Sequence, residues 1–123
     1  MEHPLVIQES NPTQRELLSE IIGSTYRGDI HTFELLDDCQ QFVDQQRVDG
    51  VFLELQPGND QLVQWVRSVP DMVFGFVDWD WTEQQLRPYV DAGLDDYLFK
   101  PYQPDRIVRL IDNRVKAKKR AID

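Results

Sequence analysis

Cysteine occurs once in the 123 residues, at Cys39. A lone thiol closes no internal disulfide and builds no cysteine metal cluster. Histidine occurs twice, at His3 and His31, too few for a histidine-based catalytic chain or metal site. Long apolar runs are also missing. The longest, Met72-Val-Phe-Gly-Phe-Val77, falls far short of the ~18 residues a membrane-spanning helix needs. The opening Met-Glu-His-Pro-Leu-Val-Ile-Gln-Glu lacks the basic start and apolar stretch of a secretory signal. The expectation is a cytoplasmic domain with no membrane association. Basic residues are scarce over most of the chain: residues 1–99 hold 5 Lys and Arg against 19 Asp and Glu. That acidic body repels a nucleic acid backbone, so no direct nucleic acid binding is expected. Residues 100–123 reverse the sign, with 8 basic and 3 acidic residues, a balance that suits the last turns of a C-terminal helix.

A hydrophobic content of 41% with 11% aromatics is enough for an ordered core rather than a disordered segment. The length predicts one domain over residues 1–123, with a core over about 1–115. Residues 116–123 then read as a basic helix end or the start of a linker. Apolar positions alternate between short runs and helical stripes. Pro4–Gln8 reads as a buried strand. Asn11 is placed to cap the next helix with Pro12 in its first turn, and Gly23 ends it. His31–Leu35 is a second strand, followed by a helix capped by Asp37 or Asp38 and closing near Gly50; Cys39 is a small core residue of that helix. Val51–Leu55 and Met72–Val77 are the third and fourth strands, separated by the Pro57-Gly58-Asn59 turn and a helix carrying Leu62, Val63 and Val66. Thr82 and Gln85 form a capping box for a fourth helix. Pro88 inside it predicts a kink or a late start, and Gly93 its end. Asp96–Phe99 is the fifth strand, and a last helix runs from about Pro104 to Arg120. Five strands alternating with five helices make an α/β fold, a parallel sheet covered on both faces.

Ligands of such sheets bind at the carboxyl ends of the strands. The residues falling there are Glu9, Ser10 and Asn11, then Glu54 and Gln56, then Asp78, Trp79 and Asp80, and finally Lys100. A lysine directly after a buried strand needs a partner for its charge. It is therefore expected to reach Glu54, Asp78 or both. The bland reading of the same acids is a set of solvated loop carboxylates with helix-capping duties.

Three stretches carry a family resemblance. Asp91-Ala-Gly-Leu-Asp-Asp-Tyr-Leu-Phe-Lys-Pro-Tyr102 resembles the end of a response-regulator receiver domain. Asp49-Gly-Val-Phe-Leu-Glu-Leu-Gln-Pro-Gly58 resembles its third strand and Pro-Gly loop. Val6-Ile-Gln-Glu-Ser-Asn-Pro-Thr-Gln-Arg-Glu-Leu-Leu18 resembles its first strand and helix. The resemblance implies a flavodoxin-like (CheY-like) doubly wound sheet in strand order 2-1-3-4-5, and a receiver role in two-component or phosphorelay signalling.

It also implies departures. Glu9 and Ser10 stand where receivers carry an acidic pair for Mg²⁺. The phosphoacceptor position falls on Glu54 counting from Asp49, or on Leu53 counting back from Pro57, and neither is an aspartate. Asp78 stands at a hydroxyl switch position, while Tyr97 and Lys100 match the aromatic switch and the invariant lysine of the pattern. A carboxylate displaced by about 1 Å costs roughly a hundredfold in a positioned transfer, and Mg²⁺ needs near-ideal octahedral oxygen ligands. The expectation is a pseudo-receiver: no phosphorylation, no enzymatic activity, no cofactor, and Mg²⁺ binding at Glu9 and Glu54 weak or lost.

Two rival classes share some of these residues. Asp78-Trp-Asp-Trp-Thr82, with Asp78, Asp80 and Thr82 at alternate positions, resembles the nucleophile motif of haloacid-dehalogenase-type phosphatases, although only 41 residues follow Thr82. A flavin or nucleotide carrier would need a glycine- or hydroxyl-rich phosphate loop, which Gln8-Glu-Ser-Asn-Pro12 is not. A conventional receiver phosphorylated atypically is the remaining alternative. Trp79 and Trp81 read equally as packing residues or as exposed binding anchors. The expected partner is a protein, or a second copy, at the face of helix four, strand five and helix five. There Arg106, Arg109, Arg114 and Lys116 oppose Glu83, Asp91 and Asp95.

Overall fold

Strands that are apolar on both faces can only sit in the middle of a layered molecule. The computed structural model describes residues 3–117 and places them so. The elements run β1 (Leu5–Gln8), α1 (Pro12–Gly23), β2 (Ile30–Phe33), α2 (Leu36–Gln45), β3 (Gly50–Glu54) and α3 (Asp60–Ser68). They continue with β4 (Val73–Val77), α4 (Glu83–Asp91), β5 (Asp96–Phe99) and α5 (Pro104–Leu110). A π-helical stretch, Ile111–Lys116, carries α5 onward. All neighbouring strands are parallel, and the order is β2-β1-β3-β4-β5. This is the doubly wound flavodoxin-like sheet.

Period-two alternation divides the core into two layers. Leu5, Ile7, Phe52, Phe74, Phe76 and Leu98 face α1 and α5, where Leu18, Ile22, Ile107 and Ile111 meet them. Val6, Val51, Leu53, Val73 and Val77 face α2, α3 and α4, with Cys39, Leu62, Val66, Leu86 and Tyr89. Burial pushes the Cys39 thiol up to about 12, so it stays protonated and inert at neutral pH.

Several local expectations hold at atomic detail. The Asn11 side chain accepts from the Gln14 amide, and Thr82 and Gln85 form the reciprocal capping box. Gly93 follows α4 at φ +104°, a backbone region that favours glycine. Others need correction. β2 stops at Phe33 because its partner β1 ends at Gln8; the Glu34 carbonyl accepts from the Gln8 side chain at 3.0 Å instead of from a strand amide. Leu35 is then the residue before α2, and Asp37 and Asp38 lie inside its first turn, where they favour the helix dipole without capping it. α2 ends at Gln45, ahead of Gly50, which is itself the first residue of β3. α4 starts at Glu83, directly after its cap, so Pro88 causes no late start; it only denies the Gln84 carbonyl a helical donor. The C-terminal helix is α-helical only to Leu110. Its widened turns keep Ile111 and Val115 in the core and bring Asp112 and Lys116 to Thr25. The end expected at Arg120, and most of the basic segment 116–123, lie outside the described residues.

One close approach fixes the spacing near the carboxyl ends of β3 and β4. A Cβ at Gly75 would lie 2.5 Å from Cδ1 and 2.8 Å from Cγ of Leu55, so Leu55 fills the space that glycine leaves. Gly75→Ala should therefore overpack the layer and destabilise the fold by about 1–3 kcal/mol. Adding Leu55→Val should recover part of that loss in urea denaturation, whereas additive losses would show that the two sites do not touch.

Candidate functional site

The same alternation that builds the core aims the rim. Continuing Leu5 and Ile7 by two residues gives Glu9. Continuing Phe52 gives Glu54, and continuing Leu98 gives Lys100, all on the α1/α5 side at the carboxyl ends of their strands. Backbone bonds run the ladder one residue past the strands: Glu9 N–H donates to Phe33 O at 3.1 Å, Leu55 N–H to Phe76 O at 3.0 Å and Lys100 N–H to Val77 O at 2.8 Å. The charged side chains thus hang from the hydrogen-bonded carboxyl edge of the sheet. The Lys100–Pro101 peptide bond is cis.

Their geometry is a three-charge cluster. Lys100 Nζ lies 3.1 Å from Glu9 Oε1 and 3.1 Å from Glu54 Oε2. Ser10 Oγ donates to Glu54 Oε1 at 2.9 Å, and Tyr102 Oη donates to Glu9 Oε2 at 3.3 Å. Every carboxylate oxygen of the pair therefore already has a donor. The Glu9 side chain is 0% exposed, against 22% for both Lys100 and Glu54. Arg15 Nη1 also donates to the Glu9 backbone carbonyl at 2.8 Å. The Tyr102 ring packs edge-on against Phe76, with centroids 5.0 Å apart, and lies beneath the Lys100 ammonium.

Burial and charge push the two acids apart. Burial raises the Glu9 pKa, and the neighbouring Glu54 charge adds to the rise. Burial also acts upward on Glu54, but the hydrogen bonds from Ser10 and Lys100 outweigh it and hold that carboxyl below the usual range. For Lys100 burial acts downward and is outweighed by Glu9 and Glu54, which keep the ammonium above its ordinary value. Burial, reinforced by the Glu9 charge, pushes Tyr102 well up, so its hydroxyl stays a donor.

The expected site residues separate into two groups. Glu9, Ser10, Glu54 and Lys100 meet. Leu53, the other register for the third-strand position, is buried in the opposite core layer. Lys100 reaches Glu54, one of the two partners expected for it; no Lys100–Asp78 ion pair forms among the described residues, and Glu9 is the second partner. The chain turns at Asp78, whose carbonyl accepts the Trp81 amide at 3.1 Å. Its exposed carboxylate lines a 320 Å³ pocket with Glu54, Asp80, Trp81 and Lys100. Tyr97 does not reach that pocket. It lines a 490 Å³ groove between α4 and β5, edge-on to Phe99. Trp81 borders both spaces and packs near Tyr89, while Trp79 is 79% exposed. Sequence reading missed Tyr102 and the engagement of Glu9. The signal for both was available: Tyr102 lies two residues beyond Lys100, and Glu9 shares the inward parity of Leu5 and Ile7. A larger cleft of 670 Å³ opens at the opposite pole, lined by Asp44, Arg47 and Asp71 among others, remote from this chemistry.

The geometry bears on the phosphatase rival. In the Asp78-Asp80-Thr82 motif, Thr82 spends its hydroxyl as the cap of α4, and only β5 follows among the described strands. No group of three or more His, Cys, Asp or Glu suited to a metal ion occurs among the described residues. No described helix is long and apolar enough to cross a membrane.

Solved structures give the same architecture. A CheY-like response regulator receiver domain protein from Methanospirillum hungatei JF-1 superposes with a TM-score of 0.82 at 8% identity, covering 98% of this chain and 99% of that one. The chain has the receiver fold. A response regulator from Thermotoga maritima gives a TM-score of 0.78 at 13% identity, over 94% of this chain and 99% of that one. The receiver domain of Ssk1 from Saccharomyces cerevisiae, solved in complex with the histidine phosphotransfer protein Ypd1, gives 0.79 at 13% identity, over 95% and 91%. No protein-family model and no curated protein matches the chain.

Removing the ammonium leaves two carboxylates facing each other. Lys100→Met should cost about 2 kcal/mol at neutral pH, below the loss for a fully buried pair because two of the three groups are partly exposed. The pH dependence has a definite sign. Glu54, lowered in the folded state, contributes stability above the ordinary glutamate range that is lost as pH falls. Glu9, raised, opposes folding as pH rises through that range. Without Lys100, Glu54 loses its gain and the cost at Glu9 grows. Urea denaturation should show the deficit at pH 7 and its loss only as pH falls below the ordinary glutamate range and through the lowered Glu54 midpoint. An equal deficit at pH 7 and below that midpoint would mean lost packing rather than lost charge.

Proposed function

We propose that this chain is a signalling receiver of the two-component type that is not switched by phosphorylation and acts through protein contacts. The observation that carries the reading is the Lys100 ammonium held 3.1 Å from both Glu54 and Glu9. In this reading Glu54 stands at the phosphoacceptor position, Glu9 and Ser10 at the acidic pair, Asp78 and Tyr97 at the switch positions and Lys100 at the invariant lysine. Glu54 extends one methylene beyond an aspartate and meets the lysine with its own carboxylate, a contact a bound phosphoryl group would otherwise make.

The donor set supports the loss of Mg²⁺. All four oxygens of Glu9 and Glu54 already accept hydrogen bonds, and Ser10 brings no negative charge. A divalent ion would have to displace the ammonium and still find octahedral oxygen ligands. Asp78 adds an anion at the pocket that a phosphoryl group would enter. The site holds no activated nucleophile beside a base, so the chain is read as a non-enzyme.

The signal is then read by protein recognition on the face of α4, β5 and α5. Val90 and Phe99, two of the few exposed large apolar residues, line its groove beside Tyr97. The cytoplasm is the compartment this reading implies.

Incubation with acetyl phosphate or phosphoramidate and Mg²⁺, followed by intact-mass measurement, tests the central element. The expected result is no mass gain, together with no Asp78-dependent hydrolysis of p-nitrophenyl phosphate. Stoichiometric addition of one phosphoryl group to Glu54 would make the chain a conventional receiver with an unusual acceptor. Hydrolysis abolished by Asp78→Asn would make it a phosphatase.

A further inference from the structure

The charge map leaves one feature that the rim does not use. Along β5 and α5 lies an open groove of 360 Å³ lined by Asp96, Arg106, Arg109, Leu110, Asn113 and Arg114. Three of its lining residues are arginines, in a chain whose first 99 residues hold five basic groups altogether. Arg114 is partly committed: its Nη2 donates to the Asp95 carbonyl at 2.9 Å and lies 3.9 Å from the Asp95 carboxylate. Arg106 and Arg109 are exposed and make no ion pair among the described residues. They sit one turn apart on α5, on the same side of the helix. Leu110, between them and Arg114 in chain order along the groove, is buried in the core. Two unpaired guanidinium forks a turn apart are suited to carboxylates spaced one helical turn apart.

We propose that this groove docks an acidic segment of another protein, with Arg106 and Arg109 each engaging a carboxylate of the segment. The inference rests on the reading of the chain as a module that works through protein contacts, and it names the chemistry of that contact. Charge complementarity selects the occupant. A nucleic acid is opposed by the acidic body, whose residues 1–99 carry a net −14. A second copy is a poorer match than an acidic segment. Of the acids it would offer from α4, Glu83 is paired at home, its Oε1 2.7 Å from Arg87 Nη2, which leaves the exposed Asp91. Asp95 serves Arg114, and each copy carries a net −9 into the encounter. A short acidic segment escapes most of that repulsion, because charges beyond about 8 Å are screened at physiological salt.

The test uses the full chain and two fluorescent helical probe peptides, one built on glutamate and leucine and the other with glutamine in place of glutamate. Anisotropy titration should show binding of the glutamate peptide and little of the glutamine peptide, weakening as salt rises. Arg106→Glu with Arg109→Glu should lower affinity at least about tenfold, the scale of losing two hydrogen bonds to charged groups. The neutral pair Arg106→Gln with Arg109→Gln should weaken it in the same direction, with circular dichroism verifying that both variants fold. Arg47→Glu with Arg67→Glu, the same charge change on exposed residues away from the groove, should leave affinity within about twofold, as for isolated surface charges. Equal losses in the groove and control pairs would reduce the effect to net charge and overturn the proposal. So would tighter binding of a duplex DNA probe than of the glutamate peptide. A dimer mass in light scattering that the groove substitutions convert to monomer would assign the groove to a second copy and overturn it likewise. Phosphoryl uptake by Glu54 would overturn the rim reading alone, because the peptide titration does not involve Glu54.

Discussion

One ammonium group between two carboxylates governs the rim of this molecule. Glu9 is fully buried and could not stay charged without a partner, since an unpaired buried carboxylate protonates rather than pay its desolvation cost. Lys100 is that partner, and it can reach Glu9 only because β1 and β5 end at the same level on either side of β3 and β4. Glu54, from the strand between, shares the same ammonium and turns its other oxygen to Ser10. The sheet order is thus a precondition of the charge cluster, and the cluster in turn fixes what the rim can accept.

On the proposed function, the same constraint separates this rim from one built to take up phosphate. A phosphoryl acceptor needs a free carboxylate, a metal held by anionic ligands and a cation ready to meet the incoming charge. Here the cation already has two anions, both carboxylates are saturated with donors and Asp78 faces the pocket as a further negative charge. On this account the rim is a finished structural element. The proposed function has signal enter through surfaces, and the exposed apolar residues beside α4 and the arginines of α5 lie on adjoining parts of one face.

Much of this could be read from residue order. Alternation between runs such as Val73–Val77 and stripes such as Leu62, Val63 and Val66 carries the strand and helix sequence, because burial on one or two faces leaves a period in the chain. Asn11, Thr82 with Gln85, and Gly93 were legible because capping and left-handed backbone have few chemical solutions. Strand order was not available from periodicity and entered only through resemblance. The end of β2 was misplaced because strand length there is set by the length of its neighbour, a tertiary fact. The π-helical turns of the C-terminal helix have no local signature in Ile111–Lys116. At the rim, Glu54 and Lys100 could be paired from charge alone. The choice of Glu9 over Asp78 required knowing that the chain turns away after Val77, while Glu9 keeps the inward parity of β1.

The central claim is that Lys100 holds both carboxylates at once and lowers the proton affinity of each, while burial and the Glu54 charge hold that of Glu9 above that of Glu54. A carboxyl-carbon NMR titration of the intact protein measures this directly. The account predicts that Glu54 titrates below the usual glutamate range and Glu9 above it, and that Lys100→Met moves both midpoints upward. Two ordinary glutamate midpoints, unchanged by Lys100→Met, would place the ammonium in solvent and contradict the account.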